Sequence, residues 1–218
     1  MAEMQLYGYW RSSASYRVRI ALALKGLTIE QLPVNLAQGV QGGKAYKGVN
    51  PQGFVPALQL EGGQVIGQSL AIIDYLEEVY PTPHLQPARA EHRAYVRQLA
   101  GMVCSDIHPL NNLRVLNYLK DNLKVTEEQK KAWIAHWVQS GFEAMESVIQ
   151  ASGLAGECCY GNQPSLADAC LIPQIYNARR FGVSMDAYPI LSRIDAYCLA
   201  LPAFMAAHPD NQPDAVTA

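Results

Sequence analysis

Gln5-Leu6-Tyr7-Gly8-Tyr9-Trp10-Arg11-Ser12-Ser13-Ala14-Ser15-Tyr16-Arg17-Val18-Arg19-Ile20-Ala21-Leu22 changes character once along its length, and that change decides the fold. Gln5 to Trp10 is short, aromatic and β-prone, which predicts a strand, and Arg11-Ser12-Ser13 is a polar turn. From Tyr16 to Lys25 apolar side chains (Val18, Ala21, Leu22) return at helical spacing. Gly26 then stops the segment as a helix C-terminal glycine does. Thr28-Ile29-Glu30-Gln31-Leu32-Pro33-Val34 is rich enough in branched residues for a second strand. The three pieces make a β-α-β unit.

Beyond it, the region from Gly39 to Gly48 holds four glycines and reads as a loop or irregular helix, followed by the turn Asn50-Pro51-Gln52-Gly53. Phe54 to Leu60 and Gln64 to Ile66 flank Glu61-Gly62-Gly63, the pattern of a hairpin. A helix begins at Ser69, carries Ile72, Ile73, Leu76 and Val79 on one face, and ends before Pro81. The stretch between Pro81 and Pro87 has the composition of a linker. We therefore expect a small α/β domain over residues 1–82 and an all-helical domain over 88–218. Helices are expected from about Glu91 to Ser105, Pro109 to Leu119, Thr126 to Gln150, Ser165 to Phe181 and Pro189 to Leu201. The polar tail from His208 to Ala218 is expected to pack poorly.

Composition narrows the function classes. Of 218 residues, 17 are Lys or Arg and 19 Asp or Glu, so no basic excess asks for nucleic acid. No stretch approaches the roughly 18 apolar residues that would span a bilayer. Met1-Ala2-Glu3-Met4 lacks the basic and apolar segments of a signal peptide, which places the expected chain in the cytoplasm. The five cysteines (Cys104, Cys158, Cys159, Cys170, Cys198) are odd in number and lack the paired spacing of a zinc site, so no metal is expected and each reads as a small apolar residue.

Three places carry candidate chemistry. Ser12, Ser13 and Ser15 stand between a strand end and a helix N-terminus, where unpaired amides and the positive end of the helix dipole would lower the pKa of a thiol. They would equally serve as caps of that helix. Val55-Pro56 opens a strand; proline cannot donate to the ladder there, which suits either an ordinary strand start or a cis turn presenting Val55 to a peptide-like ligand. Gln68-Ser69 opens the third helix, where a carboxylate could sit on the first-turn amides and the Ser69 hydroxyl, or where capping alone could be served. Ser165-Leu166-Ala167-Asp168 has capping-box spacing and is assigned to folding.

Singly these signals are weak, but in this order they resemble one family. Arg11-Ser12-Ser13, Arg17-Val18-Arg19-Ile20-Ala21-Leu22-Ala23-Leu24-Lys25-Gly26, Asn50-Pro51, Val55-Pro56 and Gln68-Ser69-Leu70-Ala71-Ile72-Ile73 are similar to the zeta class of glutathione transferases, the maleylacetoacetate isomerases. Ile107-His108-Pro109-Leu110-Asn111-Asn112-Leu113, Leu171-Ile172-Pro173-Gln174, Arg180-Phe181 and His208-Pro209 extend the resemblance through the helical half.

The resemblance implies a thioredoxin-like N-terminal domain holding glutathione as cofactor, an all-helical C-terminal domain completing a pocket for a small dicarboxylic keto acid, and a homodimer. It implies that Ser12 holds the glutathione thiolate with Ser13 nearby, that Val55 pairs with the cysteinyl backbone beside cis-Pro56, and that Gln68 and Ser69 bind the γ-glutamyl end. His108 would donate a hydrogen bond to glutathione, while Arg11, Asn111, Asn112, Arg114 and Arg180 would serve the substrate, with Arg180 on a carboxylate. Arg179 lies about 100° around the same helix and points elsewhere. The implied reaction is the cis-trans isomerisation of maleylacetoacetate in aromatic amino-acid catabolism. Maleylpyruvate isomerisation, a conjugating or dehalogenating transferase, and a non-catalytic glutathione-binding module are the alternatives. The chain departs from the family at Ala14, where cysteine is common, and at His108, where many relatives carry glutamine. Histidine there adds pH dependence near neutrality.

Overall fold

The computed structural model describes residues 4–215; Met1-Ala2-Glu3 and the last three residues of the expected tail lie outside the described residues. Strand β1 (Gln5–Gly8) is followed by helix α1 (Ser13–Leu24) and strand β2 (Glu30–Pro33). The helix carries the chain back along the sheet, so β2 pairs in parallel with β1, in the register Gln5 opposite Glu30. A 3-10 turn (Leu36–Gln38) precedes the glycine-rich stretch, which itself forms a second one (Val40–Gly42) and most of a short helix, α2 (Lys44–Val49). The expected hairpin forms: β3 (Ala57–Gln59) runs antiparallel to β1 and to β4 (Val65–Gly67), giving the sheet order β2-β1-β3-β4. Leu6 and Leu58 face each other across β1 and β3, both buried. Helix α3 (Ser69–Val79) begins and ends where Ser69 and Pro81 predict.

Helix α1 is buried on nearly every side, from Ser13 to Leu22. A helix covered all round shows little amphipathic pattern, because no face needs to be wet. Its cover comes from α3 and from a helix distant in sequence, α9 (Pro202–Ala207). The chain forms two compact units, one made of residues up to Leu85 together with those from Ala200, the other of Gln86–Leu199. The expected helical domain ran on to residue 218, whereas its last segment packs with the first unit.

The expectation of a loosely packed tail is corrected over the described residues. Pro209 and Gln212 are buried. Gln212 donates from Nε2 to the Ala206 and His208 carbonyls at 2.9 and 2.8 Å, and the Asp214 carboxylate accepts from the Trp10 amide at 3.0 Å. The polar side chains that suggested looseness satisfy backbone groups instead.

The second unit is helical. Helix α4 (Ala90–Gly101) passes into a π-helical turn over Met102–Ile107 and a 3-10 turn over His108–Asn111. Then come α5 (Leu113–Asp121), α6 (Glu127–Ser152), α7 (Leu166–Arg180) and α8 (Pro189–Leu199). Ile134, Val138, Phe142, Met145 and Ile149 recur at helical spacing along α6 and are essentially inaccessible. Thr126 and Gln129 form a capping box at its start. Gly141 of α6 lies so close to the π turn that a Cβ there would come within 2.3 Å of Ile107 side-chain atoms.

The Ser165-Asp168 capping box forms as expected, and it reaches further than a local cap. Asp168 accepts from the Ser165 amide and hydroxyl at 2.8 and 2.7 Å and from the Cys159 amide at 2.8 Å. Burial nevertheless raises its pKa, against the pull of these donors. Cys158 and Cys198, far apart in sequence, converge on Asp168 with all three ligand-type atoms within 4.8 Å of one another. Every member of the trio is buried, and Asp168 is already engaged, so the cluster is a packed knot of the α7 N-terminus. Among the described residues no helix is long and apolar enough to cross a membrane.

Candidate active site

The site residues expected in the first unit lie at the N-terminal ends of α1 and α3 and on the turn before β3. Ser12 is the N-cap of α1: its amide donates to the Tyr9 carbonyl at 3.0 Å, and its Oγ accepts from the Ser15 amide at 3.2 Å. Capping is therefore present, and it uses the hydroxyl as acceptor only. The Ser12 hydrogen keeps its capacity to donate to an anion. Ser12 is half-buried and Ser13, the first helical residue, is buried. Ser15 completes the turn by accepting from the Tyr9 amide at 3.4 Å. Arg11 is exposed, and its guanidinium lies 5.1 Å from the Trp10 ring centre.

Val55 and Pro56 are joined by a cis peptide, immediately before β3. Val55 packs with Val34 and Tyr46. The turn ahead of it is tied down by Phe54, whose carbonyl accepts from the Tyr46 hydroxyl at 2.7 Å and from Asn50 Nδ2 at 2.8 Å. Burial pushes the Tyr46 pKa up to about 12, so this phenol stays a donor throughout the neutral range.

Gln68 sits at the N-cap of α3 with φ of 68°, a backbone conformation that favours glycine. Its side chain does not cap the helix; Nε2 donates to Gln52 Oε1 at 2.9 Å. Ser69 is buried, and its Oγ accepts from Arg17 Nη1 at 3.2 Å. Capping alone thus does not account for Gln68-Ser69. The first-turn amides of α3 have no side-chain cap among the described residues, which leaves a positive helix end beside a buried arginine and fits a carboxylate ligand. In the sequence Arg17 stands only within a motif, because the burial of α1 on nearly every side is set by α3 and α9, far along the chain.

The candidates in the second unit lie on two segments. His108 follows the π turn, with its amide donating to the Val103 carbonyl, and heads the 3-10 turn that Pro109 continues. Asn111 is buried; Nδ2 donates to the Ile107 carbonyl at 3.4 Å, while Oδ1 is buried without a hydrogen-bond partner. Asn112 is the N-cap of α5, accepting from the Arg114 amide at 3.1 Å, and Arg114 is exposed. Arg179 and Arg180 diverge at the end of α7. Arg179 is ion-paired to the buried Asp195 of α8, whereas the exposed Arg180 lies over the Phe181 ring, 4.7 Å from its centre.

The family model described as glutathione S-transferase, N-terminal domain, matches residues 11–79. Maleylacetoacetate isomerase of Pseudomonas aeruginosa is 51% identical over 213 residues, covering 97% of this chain and 98% of that protein. A solved holo structure of maleyl pyruvate isomerase, described as a bacterial glutathione S-transferase in the zeta class, superposes with a TM-score of 0.95 at 46% identity, covering 97% of this chain and 100% of that one. A maleylacetoacetate isomerase from Methylobacterium extorquens, solved with malonate and glutathione bound, superposes with a TM-score of 0.95 at 39% identity, covering 98% and 100%. With the thioredoxin-like sheet, the capped serine turn and these full-length likenesses in place, the chain belongs to the zeta class of the glutathione transferase family.

Proposed function

We propose that the protein is a glutathione-dependent cis-trans isomerase of a maleyl keto acid, with maleylacetoacetate as its principal substrate. The observation that carries this reading is Ser12, which accepts one helix amide and so keeps its hydroxyl hydrogen for an anion at the α1 N-terminus. When bound, glutathione supplies a sulfur nucleophile that adds to the conjugated double bond and departs after rotation about the resulting single bond.

The chain's own residues do the rest. Ser12 donates to the sulfur, and the α1 amides and dipole favour its anionic form. Gln68 and Ser69 hold the γ-glutamyl end over the uncapped α3 terminus. Val55 offers its backbone to the cysteinyl portion. His108 donates a further hydrogen bond to glutathione. Arg180 is the leading cation for a substrate carboxylate, since Arg179 is committed to Asp195; Arg11 and Arg114 are the next candidates. Asn111 brings to the substrate side a buried oxygen that lacks a donor.

Residues 1–82 would form the glutathione-binding domain, and the helical part of 88–218 that lies before Ala200 the substrate domain, in a cytoplasmic homodimer. Maleylpyruvate is the second substrate reading, favoured by the 46% identity to a maleyl pyruvate isomerase. The test is purified protein with each cis keto acid and glutathione far below the substrate concentration, followed by ultraviolet absorbance. Many turnovers per glutathione are expected. Equal rates without thiol sink the mechanism, and loss of one glutathione per product indicates a conjugating enzyme. The faster keto acid names the substrate.

A further inference from the structure

Helix α1 and its C-cap residue Lys25 bury three cations, and two of them are fully answered. Arg19 donates from Nε to the Ala207 carbonyl at 3.0 Å, from Nη2 to Trp10 at 2.8 Å and from Nη1 to Tyr9 at 3.4 Å. The Lys25 ammonium meets Glu77 at 2.7 Å and the carbonyls of Tyr80 and Pro83 at 2.7 and 3.0 Å. Arg17 differs. It is 2% exposed and makes its one hydrogen bond to Ser69 Oγ, while Nε and Nη2 are buried without partners among the described residues.

Such an arrangement is costly. Buried polar groups are nearly always satisfied, and a guanidinium cannot escape by losing its proton. An uncompensated buried charge is destabilising unless an opposite charge answers it. Among the described residues the one polar group that Arg17 reaches is the hydroxyl at the first residue of α3, where no side chain caps the helix amides.

We propose that Arg17 is a positioning residue for the α-carboxylate of the γ-glutamyl end of glutathione, acting through Ser69. Its Nη1 occupies an acceptor site on Oγ, which turns the Ser69 hydrogen outward as a donor to the carboxylate. Its charge, sealed in a low-dielectric interior, adds to the positive end of α3 and is neutralised when the anion arrives. Arg17 itself touches no ligand. The inference rests on the glutathione reading and adds to it a residue that keeps the ligand-free fold under electrostatic tension.

The experiment is a two-by-two calorimetric titration. The ligands are glutathione and the analogue lacking only that carboxylate, 4-aminobutyryl-cysteinyl-glycine; the proteins are wild type and Arg17→Met. Wild type should bind glutathione at least tenfold more tightly than the analogue. Arg17→Met should lose at least tenfold in glutathione affinity yet bind the analogue within twofold of wild type. The melting temperature of ligand-free Arg17→Met should equal or exceed that of wild type, because an apolar side chain replaces an unanswered charge. Should Arg17→Met fail to fold, Arg17→Gln carries the test, since it retains a donor to Ser69 without the charge. Equal losses for both ligands, or a folded variant that discriminates as wild type does, overturn the role of Arg17 alone. Wild type that binds neither ligand overturns the glutathione reading and this inference with it.

Discussion

Ser12 serves two purposes at one atom, and they can be separated. Its Oγ caps α1 through the Ser15 amide, and its hydrogen is assigned to the sulfur of glutathione. Ser12→Ala should cut turnover about 10²-fold through loss of a preorganised donor and cost about 1 kcal/mol through loss of the cap. Ser12→Gly should lose the same turnover but only a few tenths of a kcal/mol, since glycine is tolerated at an N-cap. Turnover and chemical denaturation of both variants check this; equal activity in all three proteins rejects the assignment to sulfur. The two arginines at the end of α7 separate in the same way. Arg179→Ala strips the partner from buried Asp195 and should destabilise by about 1–3 kcal/mol, a figure reduced because Arg179 is half-exposed. Arg180→Ala should leave the melting temperature near wild type and raise KM for the keto acid strongly. The sequence distinguished these neighbours by helical angle alone. It could not reveal that Arg17 is buried, because burial on every side of α1 depends on elements elsewhere in the chain.

The order of β1, α1, β3, β4 and α3 was readable because the end of α1, the hairpin and the end of α3 are punctuated locally, by Gly26, by the Glu61-Gly62-Gly63 turn and by Pro81, although β1 and β3 are shorter than the expected Gln5–Trp10 and Phe54–Leu60. The π turn over Met102–Ile107 was not. Its residues have ordinary helical spacing, and the residue it packs against, Gly141, lies at least 34 positions further on in the chain. That contact can be tested. Gly141→Ala drives a methyl group into Ile107, which is buried and has little room to yield, and should cost about 1–3 kcal/mol. Because Ile107 precedes His108, glutathione affinity should fall as well. Adding Ile107→Ala removes the atoms in collision, so the double variant should be more stable than the sum of the two single changes predicts. Additive losses in a denaturant titration would show that Ile107 does not meet Gly141 in solution.

The first unit of the molecule is discontinuous in sequence, and this was its least legible property. The Arg19 bond to the Ala207 carbonyl spans 188 positions and the Trp10 bond to Asp214 spans 204. Nothing in the polar, proline-containing stretch from His208 onward announces such partners, since its hydrogen-bonding groups look equally suited to water. Ending the chain after Leu199 should therefore damage the N-terminal half more than the helical one. Hydrogen exchange is expected to accelerate in α1 while α6 and α7 keep their protection. Unchanged protection of α1 would mean that α9 contributes little. The same connectivity sets a schedule for synthesis. A ribosome releases β1 and α1 well before the helical unit, but the carbonyl that answers Arg19 and the carboxylate that holds Trp10 leave the tunnel only after it. The first unit is thus completed only after the helical unit has been made, and until then the helix carrying the serine turn waits with two buried-to-be cations and an apolar flank still open to water.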